Sequence, residues 1–132
     1  MKCLIVDDDQ FSSRILEGML SRYAACSVAV NGQEALAMFQ QGHEAHTPFD
    51  LIMMDIMMPE INGLQVVQAI RENEAVMNLS LPQRVKIIMT TALDDPRTVI
   101  KALFESDANS YLTKPITVQK ISDELRNLKL IS

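Results

Sequence analysis

The residues best equipped for chemistry in this chain are polar groups that close short apolar runs. Cys3-Leu4-Ile5-Val6 is followed by Asp7, Asp8 and Asp9, and Leu51-Ile52-Met53-Met54 by Asp55. Two later runs end in Thr90, Thr91 and Ala92 and in Thr113, Lys114 and Pro115. Carboxylates brought within ~5 Å of one another repel by roughly 3 kcal/mol a pair at an effective dielectric of about 20. A fold that gathers these acids therefore needs positive charge. Lys114 is one source, and a divalent cation is the natural second. Oxygen ligands without paired His or Cys favour Mg2+ over zinc, and Mg2+ keeps positions for water and phosphate. A carboxylate can attack phosphorus and become an acyl phosphate, a reaction that asks mainly for positioning and neutralised charge. A Thr91 hydroxyl can donate to a phosphoryl oxygen. Together these residue types hold the parts for phosphoryl transfer onto an aspartate.

The elements that must position them follow from the apolar pattern. The wholly apolar runs ending in Asp7 and Asp55 read as strands buried on both faces, as in the centre of a parallel sheet. Residues 26–30, 85–89 and 110–112 supply three more strands. Phe11, Ile15, Leu16, Met19, Leu20 and Tyr23 recur at helical spacing, which predicts a helix over 10–23. A second helix starts at Asn31, a cap with Glu34 three places on, and carries Ala35, Leu36, Met38 and Phe39. A third is expected over 64–73. Asp95-Pro96 opens a fourth, with Val99, Ile100, Leu103 and Phe104. Thr117 opens a fifth, striped by Val118, Ile121, Leu125 and Leu128. Residues 41–50 and 74–84 read as surface loops. Five strands alternating with five helices imply an α/β fold, a parallel sheet covered on both faces. Function in such sheets gathers at the carboxyl ends of the strands, where the acids, threonines and lysine fall.

Four motifs, each at a predicted strand end and in order along nearly the whole chain, carry a family resemblance. They are Val6-Asp7-Asp8, Met54-Asp55-Ile56-Met57-Met58-Pro59-Glu60-Ile61-Asn62-Gly63, Met89-Thr90-Thr91-Ala92 and Tyr111-Leu112-Thr113-Lys114-Pro115. The sequence resembles the receiver (CheY-like) domain of two-component response regulators. The resemblance implies a three-layer, doubly wound (βα)5, flavodoxin-like fold with strand order 2-1-3-4-5. It implies Asp55 as phosphoacceptor, with Asp7, Asp8, Asp55 and the Met57 backbone carbonyl around Mg2+, Asp8 touching the metal most directly. Thr91 and Lys114 would bind the phosphoryl group, Lys114-Pro115 would be cis, and Tyr111 would swing inward as Thr91 moves. The donor would be a sensor histidine kinase or a phosphotransfer protein. Output would pass to a protein target through the face of the fourth helix, fifth strand and fifth helix, which also offers a route to phosphorylation-linked homodimers. Apolar Met57 and Leu93, each two residues past a site residue, imply slow loss of the phosphoryl group.

Blander readings stand beside these. Asp7, Asp8 and Asp9 alone would read as a solvated turn capping a helix, Tyr111 as a half-buried strand residue, and the methionines as core, with Met58 exposed beside the site. His43 and His46 read as a solvent-exposed pair in a polar loop. Cys3 and Cys26 read as reduced thiols, since a disulfide framework needs more cysteines. Two rival functions remain. A phosphatase of the haloacid dehalogenase type would carry its nucleophile after the first strand, but Asp7-Asp8-Asp9-Gln10-Phe11 lacks the Thr or Val that pattern wants at its fifth place. A receiver-like interaction module would never meet phosphate, yet every matching position is intact.

Composition narrows the rest. The 132 residues, 48% apolar, suit one domain, residues 1–132, with no output domain. A net charge of −5 argues against direct binding to nucleic acid or anionic membranes. No run approaches the ~20 apolar residues of a membrane span, and the N-terminus lacks a signal-peptide core, so a cytoplasmic signalling protein, not a metabolic enzyme, is expected.

Overall fold

The computed structural model describes residues 1–58, 61–92, 97, 100, 101 and 105–132. The apolar runs are strands, β1 (Lys2–Val6), β2 (Ala25–Ala29), β3 (Leu51–Asp55), β4 (Lys86–Thr91) and β5 (Ser110–Thr113). They pair in parallel in the order β2-β1-β3-β4-β5. Helices α1 (Gln10–Leu20), α2 (Gly32–Glu44) and α3 (Gly63–Val76) follow the first three strands, and a C-terminal helix (Val118–Asn127) follows β5. Arg97, Ile100, Lys101, Glu105 and Ser106 are helical where the fourth helix is expected. Asp95, Pro96, Val99, Leu103 and Phe104 lie outside the described residues, as does Leu93.

Alternation along each central strand builds two cores, because successive side chains point to opposite faces. Leu4, Val6, Ile52, Met54, Ile87 and Met89 pack on one side with Phe39 of α2 and Val66, Val67 and Ile70 of α3. Cys3, Ile5, Leu51, Met53 and Ile88 pack on the other with Leu16 and Leu20 of α1 and Ile121 and Leu125 of the C-terminal helix. The sheet is thus covered on both faces, and the carboxyl ends of its strands stay open for chemistry.

Each described helix is started by a side chain that satisfies an otherwise unpaired N–H. Asp9 caps α1, accepting from the Phe11 and Ser12 amides, and Asn31 caps α2, accepting from Glu34 at 2.8 Å. Asn62 and Gln65 form a reciprocal capping box on α3, and Thr117 accepts from the Lys120 amide at 3.1 Å.

A buried ion pair ties the amino-terminal ends of β4 and β5 to α3. Arg71 Nη1 donates to Glu74 Oε1 at 2.7 Å and to the Val85 carbonyl at 2.8 Å. Its Nε donates to the Asp107 carbonyl at 3.0 Å and its Nη2 to Asn109 Oδ1 at 2.9 Å. Glu74, fully buried, accepts the Val85 amide on its other oxygen at 2.7 Å.

Several boundaries differ from the sequence expectation. Helix α1 stops at Leu20, with Tyr23 in the following turn, and α2 runs on through Gly42 and His43. His43 is consequently half-buried, its ring edge-on to Phe39 at 4.9 Å, so only His46 of that pair is exposed. Met58 is buried in the core, and Met57, 63% exposed, is the methionine that faces solvent beside the site. Helix α3 runs on through Val76, taking in the buried Glu74 from the expected 74–84 surface loop, and the remainder of that loop contains a short 3-10 turn, Leu81–Gln83. No helix among the described residues is long and apolar enough to cross a membrane.

Candidate functional site

The two acids that end central strands are buried together. Asp7 follows β1 and is 4% exposed; Asp55 closes β3 and is 5% exposed. Parallel pairing of β1 with β3 brings these ends side by side. Asp8 completes the group from an exposed position, and one oxygen from each of the three carboxylates lies within 4.8 Å of the others. Such an all-oxygen set can hold a hard cation. Asp9 takes no part, since its carboxylate is committed to capping α1.

Each buried acid uses its two oxygens differently. Asp7 Oδ1 accepts the Asp9 amide at 2.9 Å, and Asp55 Oδ1 accepts the Met57 amide at 3.2 Å. Their Oδ2 atoms both face Lys114, whose Nζ lies 3.8 Å from Asp7 and 3.7 Å from Asp55. These separations are ion pairs and not hydrogen bonds. One ammonium thus serves two carboxylates, and with Asp8 the site carries an excess of negative charge. Burial pushes the Asp55 carboxyl up to about 6, and the charges of Asp7 and Asp8 add to that push. Lys114 and the Met57 amide pull the other way without cancelling it.

Lys114 is placed by β5. Its amide donates to the Thr91 carbonyl at 2.7 Å, and the peptide to Pro115 is cis. Thr91 is fully buried at the end of β4. Thr90, named at the end of its apolar run but given no role there, stands in register beside Asp55, and its carbonyl accepts the Ile56 amide at 3.0 Å. Tyr111 is partly buried, packed against the α2–α3 core. A groove of about 240 Å³ adjoins the acids, with Asp7, Thr90 and Lys114 in its wall beside Phe11 and Ile15 of α1. Phe11 is 74% exposed there, and nothing in its helical spacing distinguishes it from a core residue.

The loop after β3 turns tightly enough to need glycine. The Gly63 amide donates to the Ile56 carbonyl at 3.0 Å. A Cβ on Gly63 would collide with the Asp55 carbonyl oxygen and stand 3.0 Å from the Ile56 Cα. Gly63→Ala is therefore expected to destabilise the fold by about 1–3 kcal/mol, as overpacking does, and to shift the Asp55 and Ile56 amide resonances. A urea midpoint within error of wild type would contradict this close approach.

The sequence matches the profile of the response regulator receiver domain over residues 3–126. The chain belongs to this family. As a receiver it is a signalling domain of two-component systems. It is 35% identical over 128 residues to a probable transcriptional regulator, ycf27, of Cyanophora paradoxa, an alignment covering 96% of this chain and 47% of that protein. The receiver thus spans about half the length of the curated relatives it matches first. Among solved structures it resembles a putative response regulator from Chloroflexus aurantiacus, with a TM-score of 0.77, 31% identity and 96% and 95% of the two chains covered. It also resembles the receiver domain of Ssk1 of Saccharomyces cerevisiae, solved with the histidine phosphotransfer protein Ypd1, with a TM-score of 0.81, 27% identity and 99% and 92% coverage.

Proposed function

We propose that Asp55 accepts a phosphoryl group from a phosphohistidine on a sensor kinase or phosphotransfer protein, and that this sets a switch read by another protein. The observation that carries the reading is the single ammonium of Lys114 shared by Asp55 and Asp7 at 3.7 and 3.8 Å. A nucleophilic carboxylate, a second acid and a cation meet in one buried place, with Asp8 at its rim.

An Asp55 carboxylate oxygen forms a bond to phosphorus as the bond from phosphorus to the donor's imidazole nitrogen breaks. The nitrogen keeps the electron pair and takes a proton, and Asp55 becomes an acyl phosphate. Mg2+, held by Asp7, Asp8, Asp55 and the Met57 carbonyl, would neutralise charge on the phosphoryl oxygens when bound. Lys114 pairs with one of those oxygens and the Thr91 hydroxyl donates to another. Thr91 and Tyr111 lie on neighbouring strands, Tyr111 against the α2–α3 core, so a shift of Thr91 toward the phosphate reaches the β5 surface. That surface, with the helices on either side of β5, is the proposed contact for the target and for a phosphorylation-linked homodimer. The apolar groove beside Asp7 and Lys114 suits a protein donor. The Ssk1 receiver, similar in fold, was crystallised together with a histidine phosphotransfer protein, a donor of this kind. An acidic chain without a described membrane-spanning helix suits cytoplasmic signalling by protein contacts.

Incubation with acetyl phosphate and Mg2+ should add one phosphoryl group by intact mass, and none to Asp55→Asn or without Mg2+. An equal gain in Asp55→Asn overturns the assignment. Sustained turnover of a generic phosphomonoester would instead favour the phosphatase reading, which the placement of Asp55 on β3 disfavours.

A further inference from the structure

The two cysteines are not independent core residues. Cys3 of β1 and Cys26 of β2 are register partners in the parallel sheet, so both side chains stand on the same face. Cys3 belongs to the core against α1 and the C-terminal helix, and Cys26 packs against that same cluster. Adjacent strands lie about 4.8 Å apart, inside the roughly 4.4–6.8 Å over which disulfides join Cα atoms. Both thiols are free.

We propose that Cys3 and Cys26 form a reversible redox pair, closing a disulfide between β1 and β2 by exchange with a small-molecule disulfide.

The two members have different access and different tasks. Cys26 is half-buried on the edge strand, whereas Cys3 has no exposed surface. Cys26 is therefore the one that meets the oxidant. The Cys26 thiol donates to the Ala24 carbonyl at 3.7 Å, and the neighbouring Cys3 thiol lowers the Cys26 pKa, while Cys3, beside Cys26 and buried, is held protonated well above its ordinary range. Burial and the nearby Glu17 carboxylate oppose ionisation of Cys26 without reversing that direction. Thiolate is the attacking form in such exchange.

In the first step the Cys26 thiolate attacks one sulfur of the small disulfide, and the other half leaves as a thiolate that takes a proton. Cys3 then attacks the Cys26 sulfur of the mixed disulfide, expelling the second half, which takes up the Cys3 proton as it leaves. Two protein thiols are oxidised and one small disulfide is reduced to two thiols. Disulfide Cβ atoms sit about 3.5–4.5 Å apart, closer than the strand spacing, so closure draws the strands together. A bond held that way is readily reduced, which makes it reversible where unstrained structural disulfides are not.

The test uses the folded protein with excess oxidised glutathione. Wild type should lose the mass of two hydrogens, give a peptide linking Cys3 to Cys26, slow amide exchange along Ala25–Ala29, and return to its starting mass with dithiothreitol. Cys3→Ala should stop at the mixed adduct on Cys26, and Cys26→Ser should remain unmodified because Cys3 is covered. Wild type that stays reduced, that carries only the mixed adduct, or that links two chains overturns the proposal. So does an adduct on Cys3 in folded Cys26→Ser.

Discussion

Replacing Arg71 with Met should cost about 3–5 kcal/mol, the loss seen when one partner of a buried pair is removed. Glu74 has no exposed surface, and the Arg71 side chain is 11% exposed. Met fills much of the arginine's volume but brings no charge, so the Glu74 carboxylate would be left with the Val85 amide alone. The Val85 and Asp107 carbonyls and the Asn109 side chain lose a donor at the same stroke. Domains of this size hold about 5–15 kcal/mol in total, so the variant should unfold at a much lower urea concentration. Adding Glu74→Gln should recover part of the loss, since no charge is then stranded and an amide can still accept from Val85. A single substitution costing under about 1 kcal/mol, or a double variant worse than the sum of the singles, would show that the pair is not the clamp described.

The second expected effect has the opposite sign. Asp55→Asn should stabilise the metal-free protein by about 1–3 kcal/mol at pH 7.5, even as it removes the proposed phosphoacceptor. The Asp55 carboxyl is raised from 3.8 to about 6, chiefly by burial. A raised carboxyl binds its proton more tightly in the folded than in the unfolded state. Its contribution to stability is therefore full below about pH 4 and is lost as pH rises past about 6, up to roughly 3 kcal/mol at 1.36 kcal/mol per pH unit. Asn carries no such dependence. The gap between variant and wild type should be small near pH 4, open between pH 4 and 6, and stay open above. Mg2+ should narrow it by binding the wild-type cluster more tightly. Denaturation across this range measures the difference, and a gap that is absent at pH 7.5 or independent of pH would refute it.

The fold was readable because its central strands are unbroken apolar runs closed by polar residues, a pattern that few other arrangements produce. Asp7, Asp55, Thr91 and Lys114 were readable for the same reason, as polar groups within two residues of the ends of apolar runs. The Arg71–Glu74 clamp was not. The sequence puts Arg71 near the end of an expected helix and Glu74 in an expected surface loop, and only the approach of β4 and the segment before β5 buries them. Gly42 misled in another way. It reads as a loop residue, yet in the structure it lies within α2, where a Cβ would press on the Thr47 carbonyl at 3.2 Å. Its smallness serves packing, so the helix continues and carries His43 onto Phe39. Phe11 carries no local signal for its place in the groove beside the acids, because its spacing is that of an ordinary core position.

The groups around Asp55 come from separate strands, the acids from β1 and β3, Thr91 from β4 and Lys114 from β5. Between Asp8 and Lys114 lies most of the chain. No contiguous fragment that stops at the exposed segment before β4 carries both the acids and their counter-charge. Under the proposed chemistry, a nascent or half-denatured chain is chemically mute. It presents aspartates to a donor but lacks the cation that makes one of them receptive. The requirement that every strand be docked before the reaction can proceed works as a proofreading step, so that only finished molecules enter the signalling pool.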